Sequence, residues 1–377
     1  MFKILISGGG TGGHIFPAVA IGQAVRSKMP DAEILFAGAK GRMEMEKIPQ
    51  AGFNIIGLPI AGINRKQLWK NLSLPFKLIS CFYKARKILR DFKPNVVVGV
   101  GGYASAPVLW TAERMNIPCI IQEQNSYPGV TNLSLAKKAK CICVAYEGME
   151  KYFPAEKIIL TGNPVRMDIS GASSMTEAVG LRKTAATVQR AEALKFYGLS
   201  ESKKTLLVMG GSLGAGTLNE GMLASIDNIL ANGYQVLWQT GKIYYERIKK
   251  ELQEKSLSGL TLLDFIKNMN YAYIVADVIV SRAGALSISE LALAGKPAIL
   301  VPSPNVAENH QWKNAMALVE KNAAIMIEDN AAVARIGSVA TELLKDEDKQ
   351  KELSANILKM AKPNAVNDIL KEIFRYV

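Results

Sequence analysis

The chain has 377 residues, more than one hydrophobic core usually serves, so two domains are expected. Charged residues make up 21% and hydrophobic ones 49%, a balance that excludes a disordered chain. The formal net charge of +13 calls for an anionic partner (a phosphorylated substrate, an acidic membrane face or nucleic acid) without choosing among them.

The chain opens on a short apolar run, Phe2 to Ile6, that predicts a buried parallel strand rather than a signal peptide. Gly8-Gly9-Gly10-Thr11-Gly12-Gly13 follows, and the residues from Pro17 to Val25 supply a helix with an apolar face. Free N–H groups at that helix start can hold an anion. The alternative is a tight strand-to-helix turn with no ligand. The dinucleotide pattern G-x-G-x-x-G can be laid on Gly8, Gly10 and Gly13, but its acidic partner would be Asp31 or Glu33, and Asp31 precedes the next strand instead of ending it. No G-K-[ST] follows, so the loop is not a Walker A motif. A tubulin-like nucleotide loop shares the GGGTG string and stays open as a rival.

Further strands are predicted at Ile34–Ala37, Asn54–Leu58, Asn95–Val100, Pro118–Gln122, Cys141–Ala145 and Ile158–Leu160. Helices are predicted to begin near Gly13, Met43, Leu74, Ala104, Val130 and Glu147. The alternation argues for a parallel sheet with helices on both faces. Gly101-Gly102 forms a second glycine turn, on the same edge of that sheet as the first. The cysteines, Cys81, Cys119, Cys141 and Cys143, form no CxxC and read as reduced core thiols; with two histidines in the chain no Cys/His zinc site is expected. The polar segment from Met167 to about Lys204 reads as a linker with an insertion, partly helical between Thr176 and Tyr197.

Then the opening pattern returns. Thr205–Met209 is a predicted strand, Gly210 to Gly216 a glycine turn and Thr217–Ile229 a helix, with strands continuing at Gln235–Thr240, Leu260–Leu263, Val278–Val280 and Ala298–Val301. Val333 to Val377 is expected to be mostly helical, and its Asp346-Glu347-Asp348 string reads as solvated surface, not a metal site. No apolar run approaches the roughly 18 residues a spanning helix needs, and a cytoplasmic protein is expected.

Three passages and one histidine carry possible chemistry. His14 stands at the first helix start, either as a cap or phosphate ligand or as a general base whose second proton the helix dipole disfavours. In Arg282-Ala283-Gly284-Ala285-Leu286-Ser287-Ile288-Ser289-Glu290, the carboxylate of Glu290 suits either the dipole or a pair of ribose hydroxyls. Asn309, His310 and Gln311 follow a strand's carboxyl end, as a polar cap or as sugar contacts. Between Ile63 and Arg90, aromatic and aliphatic residues interleave with lysines and arginines, as in an ordinary amphipathic helix or one that docks shallowly on an anionic bilayer. Trp110 could extend that patch.

Taken together, Gly9-Gly10-Thr11-Gly12-Gly13-His14, Gly101-Gly102-Tyr103, Gln122-Glu123-Gln124-Asn125, Gly162-Asn163-Pro164-Val165-Arg166, Gly210-Gly211-Ser212-Leu213-Gly214-Ala215 and the Arg282–Glu290 passage occur in an order that resembles the MurG family. These are bacterial transferases that add N-acetylglucosamine to lipid I to make lipid II for peptidoglycan. The resemblance spans nearly the whole chain. It implies an α/β chain of GT-B fold, two Rossmann-like doubly wound domains facing a cleft. Residues 1–165 would form an acceptor- and membrane-associating domain, 166–204 the linker, and 205–354 the UDP-sugar domain. The C-terminal helix, about 355–377, would pack back on the first domain. It implies UDP-N-acetylglucosamine contacts at Thr11, Gly12, Gly13, Asn125, Arg166, Ser212, Ile266, Ala285, Leu286, Ser287, Ile288, Ser289, Glu290 and Gln311, with His14 as the catalytic residue. The implied partners are UDP-N-acetylglucosamine, lipid I and the anionic cytoplasmic membrane face through 63–90, as a peripheral protein; no nucleic acid, metal or cofactor is implied. A related GT-B transferase acting on diacylglycerol, or a GTP-binding assembly protein, are the alternatives. His310 stands where some members carry a second glutamine, and the segment from about Gly171 to Lys195 is longer than their usual linker.

Overall fold

The computed structural model describes residues 1–60, 74–165, 181–211, 213–253, 257–306 and 309–377. The chain divides into two compact units, Met1–Arg166 with Asn364–Val377, and Met167–Pro363.

In the first unit the elements run β1 (Lys3–Ser7), α1 (Gly12–Lys28), β2 (Glu33–Ala39), α2 (Glu44–Gln50), β3 (Asn54–Leu58), α3 (Leu74–Phe92), β4 (Val96–Gly99), α4 (Ser105–Arg114), β5 (Cys119–Glu123), α5 (Val130–Leu135), β6 (Cys141–Val144) and β7 (Ile158–Leu160). All seven strands are parallel, in the order β3-β2-β1-β4-β5-β6-β7. Leu5 of β1 lies level with Leu35 of β2 on one side and Val97 of β4 on the other. A strand covered on both faces must be apolar throughout, and Val96, Val97 and Val98 are fully buried. The order of connection reverses between β1 and β4. The glycine turns found in the sequence follow those two strands, so both lie at the switch point.

One expectation changes here. No α-helix starts at Glu147: Gly148 takes φ +75°, outside the helical region, and only a single 3-10 turn, Met149–Lys151, forms before Pro154. All four cysteines are buried and unpaired, as core thiols should be.

The second unit holds α6 (Leu181–Tyr197), β8 (Thr205–Met209), α7 (Gly216–Ala231), β9 (Gln235–Gln239), α8 (Lys242–Leu252), β10 (Leu260–Leu263), α9 (Met269–Val275), β11 (Val278–Ser281), α10 (Ala285–Ala294), β12 (Ala298–Leu300), α11 (His310–Val319), β13 (Ile325–Met326), α12 (Asp329–Lys345) and α13 (Glu347–Lys359). Its parallel sheet runs β10-β9-β8-β11-β12-β13. Helix α6 occupies much of the segment read as a linker. It is held to its unit by Arg190, whose guanidinium donates to both carboxylate oxygens of Asp277 at 3.1 and 3.2 Å and to the carbonyl of Ile274 at 2.7 Å. The last helix, α14 (Ala365–Phe374), belongs to the first unit, where Ile369, Leu370 and Ile373 are buried and Phe374 meets Phe2 edge-on at 6.1 Å.

Candidate active site

In the first unit the two glycine turns touch. At Gly102, φ is +83°, and a Cβ there would fall inside the van der Waals envelope of the Gly9 carbonyl oxygen, so only glycine lets the turns meet. The first turn is also stapled from the side by a residue that patterning did not single out. Glu44, at the start of α2, has no exposed surface; its carboxylate accepts from the N–H of Ala39 at 2.9 Å and of Gly10 at 3.0 Å.

His14 lies in the first turn of α1, half-buried, with Thr11 in extended geometry just outside the helix and making no side-chain cap. Among the described residues no side chain caps the first N–H groups of α1, at Gly12 and Gly13. The imidazole sits against Gly101, where a Cβ would come within 2.9 Å of Cε1. Its Nδ1 lies 2.8 Å from Gln124 Oε1.

Asn125 is placed by its neighbour. Glu123 is 1% exposed, and its carboxylate accepts from the Asn125 backbone and side-chain N–H groups at 3.0 and 3.2 Å, from Gly129 N at 3.1 Å and from Asn132 Nδ2 at 2.8 Å. A carboxylate with that many donors shapes the whole loop after β5. Thr11, Gly12, Gly13, His14 and Asn125 thus all stand at the carboxyl ends of β1 and β5. A shallow pocket beside them is lined by Gly9, Gly10, Ala39, Arg42, Ile60 and Tyr103.

The second unit uses its glycines differently. Gly214, at φ +79°, packs against Gly241, so the turn after β8 leans on the one after β9. Among the described residues, a Cβ at Gly211 would meet nothing within 4 Å and one at Gly284 only Ser287 Oγ at 3.6 Å. Helix α10 starts there with Ala285, Leu286 and Ser287, and Gly284 supplies no cap. Ser289 Oγ donates back to the Ala285 carbonyl at 3.0 Å, and Ile288 is buried. Glu290, one turn in, accepts from Tyr273 Oη at 2.8 Å; Tyr273 is 3% exposed, so the phenol is a fixed donor behind the carboxylate. Arg282 of the same passage is structural: it is paired with Asp329 at 2.5 Å and donates to the Val301 carbonyl at 3.1 Å.

Ile266 is buried after β10, and Gln311 Oε1 accepts from Ser303 N at 2.9 Å. Arg166 and Ser212 lie outside the described residues. Asp346 caps α13 by accepting from Lys349 N at 2.8 Å, and among the described residues no group of three His, Cys, Asp or Glu could hold a metal ion. Glu44, Gln124 and Tyr273 were the residues missed. Gln124 lay inside a quoted motif, but only the fold shows which side chains these three face.

Two protein-family models match, the glycosyltransferase family 28 N-terminal domain over residues 4–144 and the C-terminal domain over 205–372. The chain belongs to glycosyltransferase family 28. Its family 28 relatives include a protein of Parabacteroides distasonis, 51% identical over all of this chain and 98% of that one, and one of Phocaeicola vulgatus, 54% identical over 99% and 96%. Both are named UDP-N-acetylglucosamine–N-acetylmuramyl-(pentapeptide) pyrophosphoryl-undecaprenol N-acetylglucosamine transferase. The crystal structure of Acinetobacter baumannii MurG matches with a TM-score of 0.75 at 26% identity, each chain covered completely. The fold is GT-B, and a UDP-N-acetylglucosamine 2-epimerase of Neisseria meningitidis shares it at a TM-score of 0.67 and 16% identity.

Proposed function

We propose that this chain transfers N-acetylglucosamine from its UDP carrier to the C4 hydroxyl of the muramyl sugar of lipid I, with inversion, giving β1,4-linked lipid II. The full-length identity to relatives bearing that activity's name supports the substrates. The observation that carries the mechanism is the contrast between the two switch points. One is braced by glycine-to-glycine contact and presents a histidine; the other presents the start of α10 with a carboxylate one turn in, held by Tyr273.

The uridine diphosphate belongs on the second unit. Helix α10 directs its first N–H groups and the positive end of its dipole at the diphosphate, Glu290 takes the ribose hydroxyls, and the backbone at Ile266 meets the uracil. Ser212 and Arg166 add to the diphosphate site. Gln311 meets the sugar, with its amide set by Ser303. The acceptor belongs on the first unit, beside Thr11, Gly12, Gly13 and Asn125, where Arg42 and the N–H groups of α1 suit its phosphates. The muramyl hydroxyl attacks the anomeric carbon from the face opposite UDP. Its proton passes to His14, and the charge developing on the leaving UDP is met by donors already in place.

The membrane-facing surface is the first unit's basic and apolar helix. Residues 63–73 of the stretch lie outside the described residues. In α3, Ile79 is 68% and Tyr83 73% exposed beside exposed Arg86, Lys87 and Arg90. Phe82 packs on Trp110 at 4.7 Å, which extends the apolar surface onto α4. Lys84 is not part of it, since its ammonium donates to the Gly57 carbonyl at 2.6 Å. No described helix is long and apolar enough to cross a membrane, which suits peripheral attachment at the cytoplasmic face.

The test is transfer of labelled N-acetylglucosamine to a lipid I analogue, with diacylglycerol offered in the same reaction. Lipid I alone should be labelled, and His14→Ala should lower kcat by about 10²–10⁴-fold. Turnover near wild type in that variant, or label on diacylglycerol instead, would overturn the assignment.

A further inference from the structure

The hydrogen bond behind His14 ends a chain of three buried amides, and the direction of that chain can be worked out from its far end. Asn163 Nδ2 donates to the Gln124 backbone carbonyl at 3.0 Å, which fixes which end of that amide is nitrogen. Asn163 Oδ1 must then accept, and it does so from Gln122 Nε2 at 3.1 Å; the same nitrogen also donates to the Glu123 carbonyl at 3.3 Å. That leaves Gln122 Oε1 as an acceptor, and the group in contact with it is Gln124 Nε2. Gln124 Nε2 also faces the carbonyls of Val100 at 3.0 Å and of Gln122 at 2.9 Å. Turning the Gln124 amide over would set an oxygen against three oxygens. Its Oε1 therefore faces His14, and an amide oxygen only accepts. Gln122 is fully buried, Gln124 is 1% and Asn163 3% exposed, so water cannot substitute for any link.

We infer that Gln124 is a positioning residue that holds His14 as the Nδ1–H tautomer and so leaves the Nε2 lone pair as the proton acceptor. This rests on the proposed role of His14 as the base. The tautomer of a neutral imidazole is set by the partner of its other nitrogen, and the partner here can only accept. In the reaction the Nδ1 proton stays on Nδ1, and the acceptor hydroxyl proton is bound at Nε2.

The residue type follows from the same contacts. A glutamate at 124 would keep an acceptor toward His14 but turn its second oxygen on the carbonyls of Val100 and Gln122 with nothing to donate. Only a side chain that donates on one side and accepts on the other satisfies both, and it orients the base without placing a negative charge behind it. Gly101 completes the seat, since a Cβ there would crowd Nδ1 at 3.0 Å as well as Cε1.

The chain has two histidines, which makes the test direct. The full-length protein labelled with ¹⁵N-histidine is observed by long-range ring ¹H–¹⁵N correlation at a pH where the imidazoles are neutral, with His310→Gln used to assign the pair. We expect a pyrrole-type Nδ1 and a pyridine-type Nε2 at His14. A dominant Nε2–H signal, or a mixture of tautomers, overturns the proposal, and no variant of the site is needed to see it. Gln124→Met should lose the single tautomer and lower kcat about tenfold or more, with the dissociation constant for UDP-N-acetylglucosamine unchanged. If that variant is insoluble, Gln124→Asn withdraws the same oxygen by one methylene and should act in the same direction. A mixed tautomer with wild-type kcat overturns the positioning role. A pinned tautomer together with a fully active His14→Ala instead overturns the base reading alone, so the two failures are distinguishable.

Discussion

Glu44 shows how much of a loop one buried side chain can hold. Removing its carboxylate in Glu44→Ala strands the N–H groups of Gly10 and Ala39, and should cost about 1–3 kcal/mol in a urea titration. Gly102→Ala meets both a positive φ and the Gly9 carbonyl, so a loss of at least about 2 kcal/mol is expected from the same measurement. Tyr273→Phe deletes a single donor to Glu290, worth about 1 kcal/mol, so KM for the UDP sugar should rise about fivefold with kcat unchanged. Desolvation pushes the Cys81 thiol up to about 11, against the opposing pull of the Lys84 ammonium. Burial means that none of the four cysteines should react with a disulfide reagent at pH 8 until the chain is unfolded. The glycines and His14 were visible in the sequence because a glycine run after an apolar strand has few explanations. Glu44 was not, since a glutamate in the first turn of a helix looks the same whether it faces water or a backbone.

Periodicity located most elements well, because parallel strands buried on both faces read as unbroken apolar runs such as Val96 to Val98. It missed β13, two residues long, and misread Glu147, where one glycine dihedral ends the matter. It could not show that α6 is docked, since Arg190 finds Asp277 across 87 positions of sequence. Helix α14 is the clearest test at this level. Ile373 is fully buried in the first unit, so Ile373→Ala should destabilise that unit by about 2–5 kcal/mol and lower the first transition of a thermal melt.

The net charge of +13 falls almost wholly on the first unit, +12 against +1 on the second, and there α3 joins it to exposed apolar side chains. Sedimentation with vesicles containing anionic lipid should therefore depend on salt. Arg86→Glu with Lys87→Glu should weaken it by about tenfold or more, at roughly 1 kcal/mol for each basic residue near the surface. Equal sedimentation with neutral vesicles, unaffected by salt, would rule out the charged half of that surface.

Fold class, the doubling of one α/β plan and the places where a ligand could sit were all determined by local chemistry: where apolar runs stop, and where glycine must follow. Those signals act between near neighbours and survive in a string of letters. Which glycine turns touch was decided only in three dimensions, by Gly9 meeting Gly102 in one unit and Gly214 meeting Gly241 in the other. The same holds for the orientation of His14, which depends on three amides drawn from β5, the residue after it and the loop after β7. Hydrogen-bond direction belongs to a set of groups brought together by folding, and no residue in the set carries it alone.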